Sequence, residues 1–286
     1  MSVPPGWPAP AKLNLLLRIV GRRPDGYHLL QSVFQFVDYG DEIGLAVRDD
    51  GRIERHSDLP GVPAEQDLAV RAARLLQAET GTSLGADIRV HKRLPMGGGL
   101  GGGSSDAATV LVGLNQLWGT GLDADALAAL GLRLGADVPV FTRGRAAWAE
   151  GIGERLTPLE LPEPWYLVVK PPCEVATGTI FQDTELTRNS PLSTIRDFLA
   201  GLTVNDCLPV VVKHYPEVAQ ALSWLGQFGE ARLTGTGACV FAVFEDEGGA
   251  REVLDQLPAG YRGFVARGRN RSPLLERLQA ESGQAR

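Results

Sequence analysis

Strict alternation is clearest where Ala86, Ile88 and Val90 interleave with Asp87, Arg89 and His91, the period of a half-buried strand. Helical spacing governs the segment before it: Leu68, Ala72, Leu75 and Leu76 share one face and predict a helix over Asp67 to Glu79. A second helix follows Ser104, read as its N-cap, with Ala107, Ala108, Leu111, Leu114 and Leu117 as the apolar face. Asp123 caps a third, to about Leu134. Toward the start, Leu13 to Val20 reads as a strand closed by the turn chemistry of residues 21 to 26, and Ser32 to Tyr39 and Glu42 to Val47 continue as separate strands. Further strands are predicted at Arg145 to Glu150, Tyr166 to Lys170, Ala231 to Leu233, Cys239 to Phe244 and Gly263 to Ala266. Further helices fall near Val218 to Gln227 and Gly249 to Leu257. Pro158, Pro162 and Pro164 suggest a boundary, so the chain reads as α+β in two domains, 1–160 and 161–286.

Composition narrows the function classes. A chain of 286 residues with 44% hydrophobic residues supplies a sizeable core without staples. Cys173, Cys207 and Cys239 are an odd number without Cys-x-x-Cys spacing, so neither a disulfide framework nor a zinc site is expected, and a reducing cytoplasm fits. His56, His91 and His214 have no partner at ligand spacing and read as structural or exposed. No stretch reaches the roughly 18 apolar residues of a membrane span, and the first ten residues show no leader pattern. A net charge of −6 argues against general affinity for nucleic acid or anionic lipid. A polyanionic ligand must be met locally.

The local candidate is Pro95-Met96-Gly97-Gly98-Gly99-Leu100-Gly101-Gly102-Gly103-Ser104-Ser105, between a predicted strand and a predicted helix. Each glycine loses roughly 0.5–1 kcal/mol relative to alanine in regular structure, so six in seven residues call for a purpose. Without β-carbons, backbone N–H groups can approach phosphate oxygens, aided by the positive end of the following helix. A Walker loop is excluded because no Gly-Lys-Ser/Thr ending is present. Gly97, Gly99 and Gly102 satisfy Gly-x-Gly-x-x-Gly, but the preceding strand alternates charges where a dinucleotide-binding strand would be continuously apolar.

The loop resembles the phosphate loop of the GHMP kinases, Pro-x-x-x-Gly-Leu-Gly-(Gly)-Ser-Ser. Pro10 to Leu15 (PAKLNL) and Leu233 to Ala238 (LTGTGA) match the family's other motifs in the same order. Gly21 to His28 (GRRPDGYH), Gln31 to Asp41 and Gly135 to Phe141 narrow the match to one branch. The resemblance implies an N-terminal domain of the ribosomal-protein S5 type and a C-terminal ferredoxin-like domain. It further implies ATP as phosphoryl donor with Mg²⁺, and phosphorylation of the 2-hydroxyl of a cytidine diphosphate-linked methylerythritol. No obligate protein partner is implied. Carried over residue by residue, it makes Asp137 the base and Lys12 its partner, and puts Asn14, Tyr27, His28, Thr177 and Phe181 around the acceptor. Gly235 and Gly237 would lie close to the phosphates or acceptor. The residues alone leave alternatives open: an Asp after a helix is more often a cap or turn residue, a Lys at a strand start is more often solvated, and Phe181 also suits a core. Ser105 is the one side chain suggested for the metal. Asp67 and Asp106 stand where some members carry asparagine, and a carboxylate cannot donate to adenine nitrogens unless protonated. Rival readings are a GHMP kinase for mevalonate or homoserine and a silent nucleotide-binding regulator.

Overall fold

The computed structural model describes residues 6–284. The first half contains strands β1 (Trp7–Arg22), β2 (His28–Arg48), β3 (Ile53–Arg55), β4 (Gly85–His91), β5 (Ala147–Glu150) and β6 (Arg155–Pro158). Between them run helices α1 (Leu68–Thr80), α2 (Gly102–Trp118), α3 (Ala124–Leu132) and α4 (Val138–Arg143). The second half contributes β7 (Trp165–Lys170), β8 (Arg232–Leu233), β9 (Val240–Phe244) and β10 (Arg262–Arg269). Its helices are α5 (Thr177–Gln182), α6 (Ile195–Leu199), α7 (Leu208–His214), α8 (Pro216–Leu225), α9 (Glu247–Leu254) and α10 (Pro273–Gln284). The α+β expectation holds.

The two predicted strands 32–39 and 42–47 are one strand, β2, of 21 residues. It continues through Gly40 because a β-carbon there would stand 2.2 Å from the Ala9 carbonyl oxygen; glycine lets β1 cross close by. Along its length β2 pairs antiparallel with β1, β4, β5 and β10, and thereby joins the sheets of both halves. The β1–β2 register shifts between Pro10 and Lys12 and again between Asn14 and Leu16. Lys12 and Asn14 therefore sit between two irregularities, the kind of site where a strand re-aims side chains. Two residues apart, they share one face.

Asp67 caps α1 by accepting from the Ala69 N–H at 2.9 Å, and Gly81 ends it in the left-handed conformation. Ser104 does not cap α2: the cap is Gly101, at φ 75°, and the helix begins at Gly102. Only glycine enters a helix from that backbone region without strain. α2 is buried nearly all round, and with α1, α3 and α4 it covers the sheet of the first half. A second core lies beneath α7, α8 and α9, and a third joins Leu13, Leu16 and Leu100 to Phe241 and Phe264 across the two halves. Leu274, in α10, packs back into the first core.

Candidate active site

The glycine loop is clipped down by its carbonyls. The Gly97 carbonyl accepts from the Ala238 N–H at 3.0 Å, Gly98 from Cys239 at 3.1 Å, Leu100 from Lys12 at 3.0 Å and Gly101 from Ser105 at 2.8 Å. Thr234 Oγ1 donates to the Gly99 carbonyl at 3.3 Å while accepting from the Asn14 N–H at 3.0 Å. No protein acceptor among the described residues takes the N–H groups of residues 97–104. One edge of the loop is thus spent on the fold, and the donor edge is left for a ligand. Gly97, Gly99 and Gly101 alternate at positive φ, the arrangement that turns successive amides to one side.

The glycines also let the loop lie flat on the protein. A β-carbon at Gly99 would stand 2.3 Å from the Thr234 carbonyl oxygen, and one at Gly101 2.8 Å from the Phe141 ring and 3.2 Å from the Lys12 stem. These glycines are therefore needed on the protein side of the loop. Of the other loop residues, Met96 is exposed, Leu100 buries its side chain in the third core, and Pro95 and Ser104 are partly buried. Ser105 is fully buried, and its hydroxyl donates to the Pro10 carbonyl at 2.7 Å.

Lys12 and Asp137 come together at 3.4 Å, Nζ to Oδ2. Asp137 occupies the N-cap position of α4 but makes no capping bond, so its carboxylate is not consumed by the helix. The Lys12 side chain is buried, whereas about a third of the Asp137 side chain is exposed. Lys12 also donates to Asn14 Oδ1 at 2.5 Å, and its Nζ lies 5.2 Å from the centre of the Phe34 ring. Asn14 is held in turn, its Nδ2 donating to Ser32 Oγ at 2.8 Å, which donates to the Leu16 carbonyl at 2.6 Å. A buried cation, a partly open carboxylate and an amide are thus fixed next to the loop through the Lys12 N–H and stem.

His28, at the start of β2, stacks on Phe181 of α5 with ring centres 5.0 Å apart. Its Nε2 accepts from Arg188 Nε at 3.1 Å. Burial, then the charges of Arg188 and Arg22, hold the imidazole below its ordinary value, so it is neutral at pH 7. Tyr27 is 57% exposed in the β1–β2 turn. Thr177 Oγ1 lies 2.9 Å from Thr236 Oγ1. Sequence reasoning missed Arg188, Thr234 and Thr236. The two threonines lie in the Leu233–Ala238 motif, where the glycines drew attention, whereas Arg188 carried no signal at 160 residues from its partner.

Beneath the first turn of α2 lies a buried cluster. Lys92 Nζ donates to Asp106 Oδ2 at 2.9 Å and to Asp41 Oδ2, and Asp41 Oδ1 accepts the N–H groups of Arg93 and Leu94 at 2.6 and 2.7 Å. Burial pushes the Asp106 carboxyl up to about 7 against the pull of Lys92. Asp67 is committed elsewhere, to the α1 cap and to Arg55 Nη1 at 2.9 Å. Among the described residues, the cluster with metal-ligand spacing is Glu54, His56 and Asp87, and Arg48 already pairs with it, 2.7 Å from Asp87 and 3.6 Å from Glu54. No helix among the described residues is long and apolar enough to cross a membrane.

Comparison with known proteins agrees with this geometry. The GHMP kinases N-terminal domain matches residues 67–145, and the GHMP kinases C-terminal domain matches residues 185–263. The 4-diphosphocytidyl-2-C-methyl-D-erythritol kinase of Alkalilimnicola ehrlichii is 61% identical over 98% of this chain and 96% of its own. The enzyme of the same name from Ectopseudomonas mendocina is 60% identical over 96% and 94%. A crystal structure of 4-(cytidine 5'-diphospho)-2C-methyl-D-erythritol kinase superposes with a TM-score of 0.80 at 33% identity, covering 91% of this chain and 97% of that one. A mevalonate kinase structure shares the fold alone, with a TM-score of 0.61 at 16% identity over 91% and 98%.

Proposed function

Because this chain belongs to the GHMP kinase family, in the branch of its 4-diphosphocytidyl-2-C-methyl-D-erythritol kinase relatives, we propose that it phosphorylates the 2-hydroxyl of that cytidyl compound. ATP is the donor, and the step belongs to non-mevalonate isoprenoid precursor synthesis. The observation that carries the chemistry is the Lys12–Asp137 pair beside a loop with an unclaimed donor edge.

Phosphoryl transfer asks a protein mainly for positioning and charge stabilisation. The N–H groups of residues 97–104 hold phosphate oxygens of ATP. Asp137 accepts the proton of the attacking hydroxyl as the new oxygen–phosphorus bond forms and the bond to the ADP oxygen breaks. Lys12 holds that carboxylate and the hydroxyl in register, and Asn14 fixes Lys12. Tyr27, His28 and Phe181 take the cytosine, with Thr177 nearby. A magnesium ion bound with ATP would supply charge neutralisation at the phosphates. The partly open Asp137 carboxylate would supply a hard oxygen donor for that ion. The free thiols suit a cytoplasmic setting.

The test is a panel of alcohols with Mg-ATP, reading ADP release and the site of phosphorylation. Turnover of the cytidyl compound at its 2-hydroxyl, with no turnover of mevalonate or homoserine, is expected. Turnover of mevalonate and not of the cytidyl compound overturns the assignment.

A further inference from the structure

Arg188 is held more firmly than a ligand-binding arginine needs to be. Its Nη2 donates to the carbonyls of Phe181 and Asp183 at 2.9 and 2.6 Å, and its Nη1 to the Leu186 carbonyl at 3.0 Å. With these three carbonyls satisfied, the Nε–H is aimed at His28 Nε2, 3.1 Å away. A guanidinium carries donors only, so the nitrogen it faces must present a lone pair. The neutral ring then carries its proton on Nδ1. That atom has no partner among the described residues and is not sealed from solvent. Stacking on Phe181 fixes the plane of the ring and Arg188 fixes its hydrogen-bonding polarity.

A ring fixed as an Nδ1–H donor discriminates between pyrimidines. Cytosine offers an acceptor at N3, whereas uracil carries a hydrogen there. A donor facing N3 is satisfied by the first base and opposed by the second. We propose that Arg188 is a positioning residue that determines base specificity: by claiming Nε2 it locks His28 as a donor and makes the acceptor site select cytosine over uracil. This rests on the reading that His28 meets the base, and it assigns Arg188 a role that acts through His28.

The test has two arms, so that each layer can fail separately. The first uses the full chain with ¹⁵N-labelled histidine and no substrate; four histidines make assignment practical, with His28→Gln identifying the signal. Long-range ¹H–¹⁵N spectra should show the proton on Nδ1 and a bare Nε2. A proton on Nε2 overturns the proposal, and this arm decides the matter even if no Arg188 variant folds.

The second arm compares kcat/KM for cytidine- and uridine-diphosphate-linked methylerythritol at saturating Mg-ATP. Wild type should favour the cytidine compound roughly 10²-fold or more, because the wrong base leaves buried polar groups unpaired. In Arg188→Met the KM for the cytidine compound should rise about tenfold, the preference should fall by a similar factor, and the KM for ATP should stay put. The histidine signal should shift to mixed tautomers. A folded Arg188→Met protein with unchanged tautomer and unchanged preference overturns the proposal, as does a wild type that uses both bases equally. Failure of wild type to phosphorylate either compound would instead sink the acceptor assignment, leaving the spectra to judge the Arg188–His28 contact on its own.

Discussion

At the nucleotide end the groups offered to a ligand are main-chain N–H groups, held from behind by main-chain carbonyls bonded to Ala238, Cys239, Lys12 and Ser105. At the proposed acceptor end they are side chains, His28 from β2 and Phe181 from α5, with an arginine from a third segment bonded to the histidine. A backbone site demands little of residue identity beyond glycine, and reads any triphosphate by charge and shape. A side-chain site can distinguish one base from another, and it depends on contacts between residues far apart in the chain. The Lys12–Asp137 pair stands between the two.

The comparison breaks first at that pair, where the largest effect is expected. Asp137→Asn keeps the size and removes the basicity, and single-turnover phosphorylation should slow by about 10²–10⁴ with both substrates still bound. A late proton transfer from a loose transition state would place the loss in the lower part of that range. A variant that folds, by thermal melting, and turns over near the wild-type rate removes Asp137 from the role of base.

Next comes the nucleotide end. Gly101→Val forces a β-branched residue to φ 75° and drives its β-carbon to within 2.8 Å of the Phe141 ring. Strain of this kind costs on the order of 1–3 kcal/mol. The variant should lose stability in a thermal melt and bind ATP at least about tenfold more weakly by calorimetry, since the loop must lift off its seat. Gly103→Ala is the comparison: that residue is helical and its β-carbon would meet only Leu68 at 3.5 Å among protein atoms, so stability should barely move and ATP affinity should fall less than in Gly101→Val. Equal effects of the two substitutions would show that loop shape is not what ATP reads.

The smallest effect is expected at the acceptor end. Phe181→Ala removes the stack on His28 and should raise the KM for the acceptor about five- to tenfold, with ATP affinity unchanged, because an aromatic pair contributes about 0.5–1.5 kcal/mol beyond its buried area. Weakening of both substrates together would assign Phe181 to the second core, against which it also packs.

What could be read from the sequence follows the same division. The glycine loop stood out because its information is local: glycines between a strand and a helix announce a backbone that must come close to something. Yet the direction of closeness was not legible, since the β-carbons excluded at Gly99 and Gly101 would meet Thr234 and Phe141. Periodicity found α1 and β4 within a residue or two because one face of each is buried. It split β2 at Gly40, where tertiary contact with Ala9 overrides a local turn signal, and misplaced the α2 cap, where Gly101 does by conformation what a serine does by hydrogen bonding. α4 is too short for a period to register. Arg188 and Thr234 act through partners more than a hundred residues away, and no pattern within one chain pairs them.

The clips on the loop from Ala238, Cys239 and Thr234 also bear on how the protein comes apart. They join a loop of the first half to a hairpin of the second, so the nucleotide-binding shape exists only while both halves are folded. A ligand that binds that shape draws its binding energy from the whole chain, and by mass action stabilises both halves at once. Partial unfolding of either half releases the ligand, and a saturated protein is thereby pushed toward a single cooperative transition.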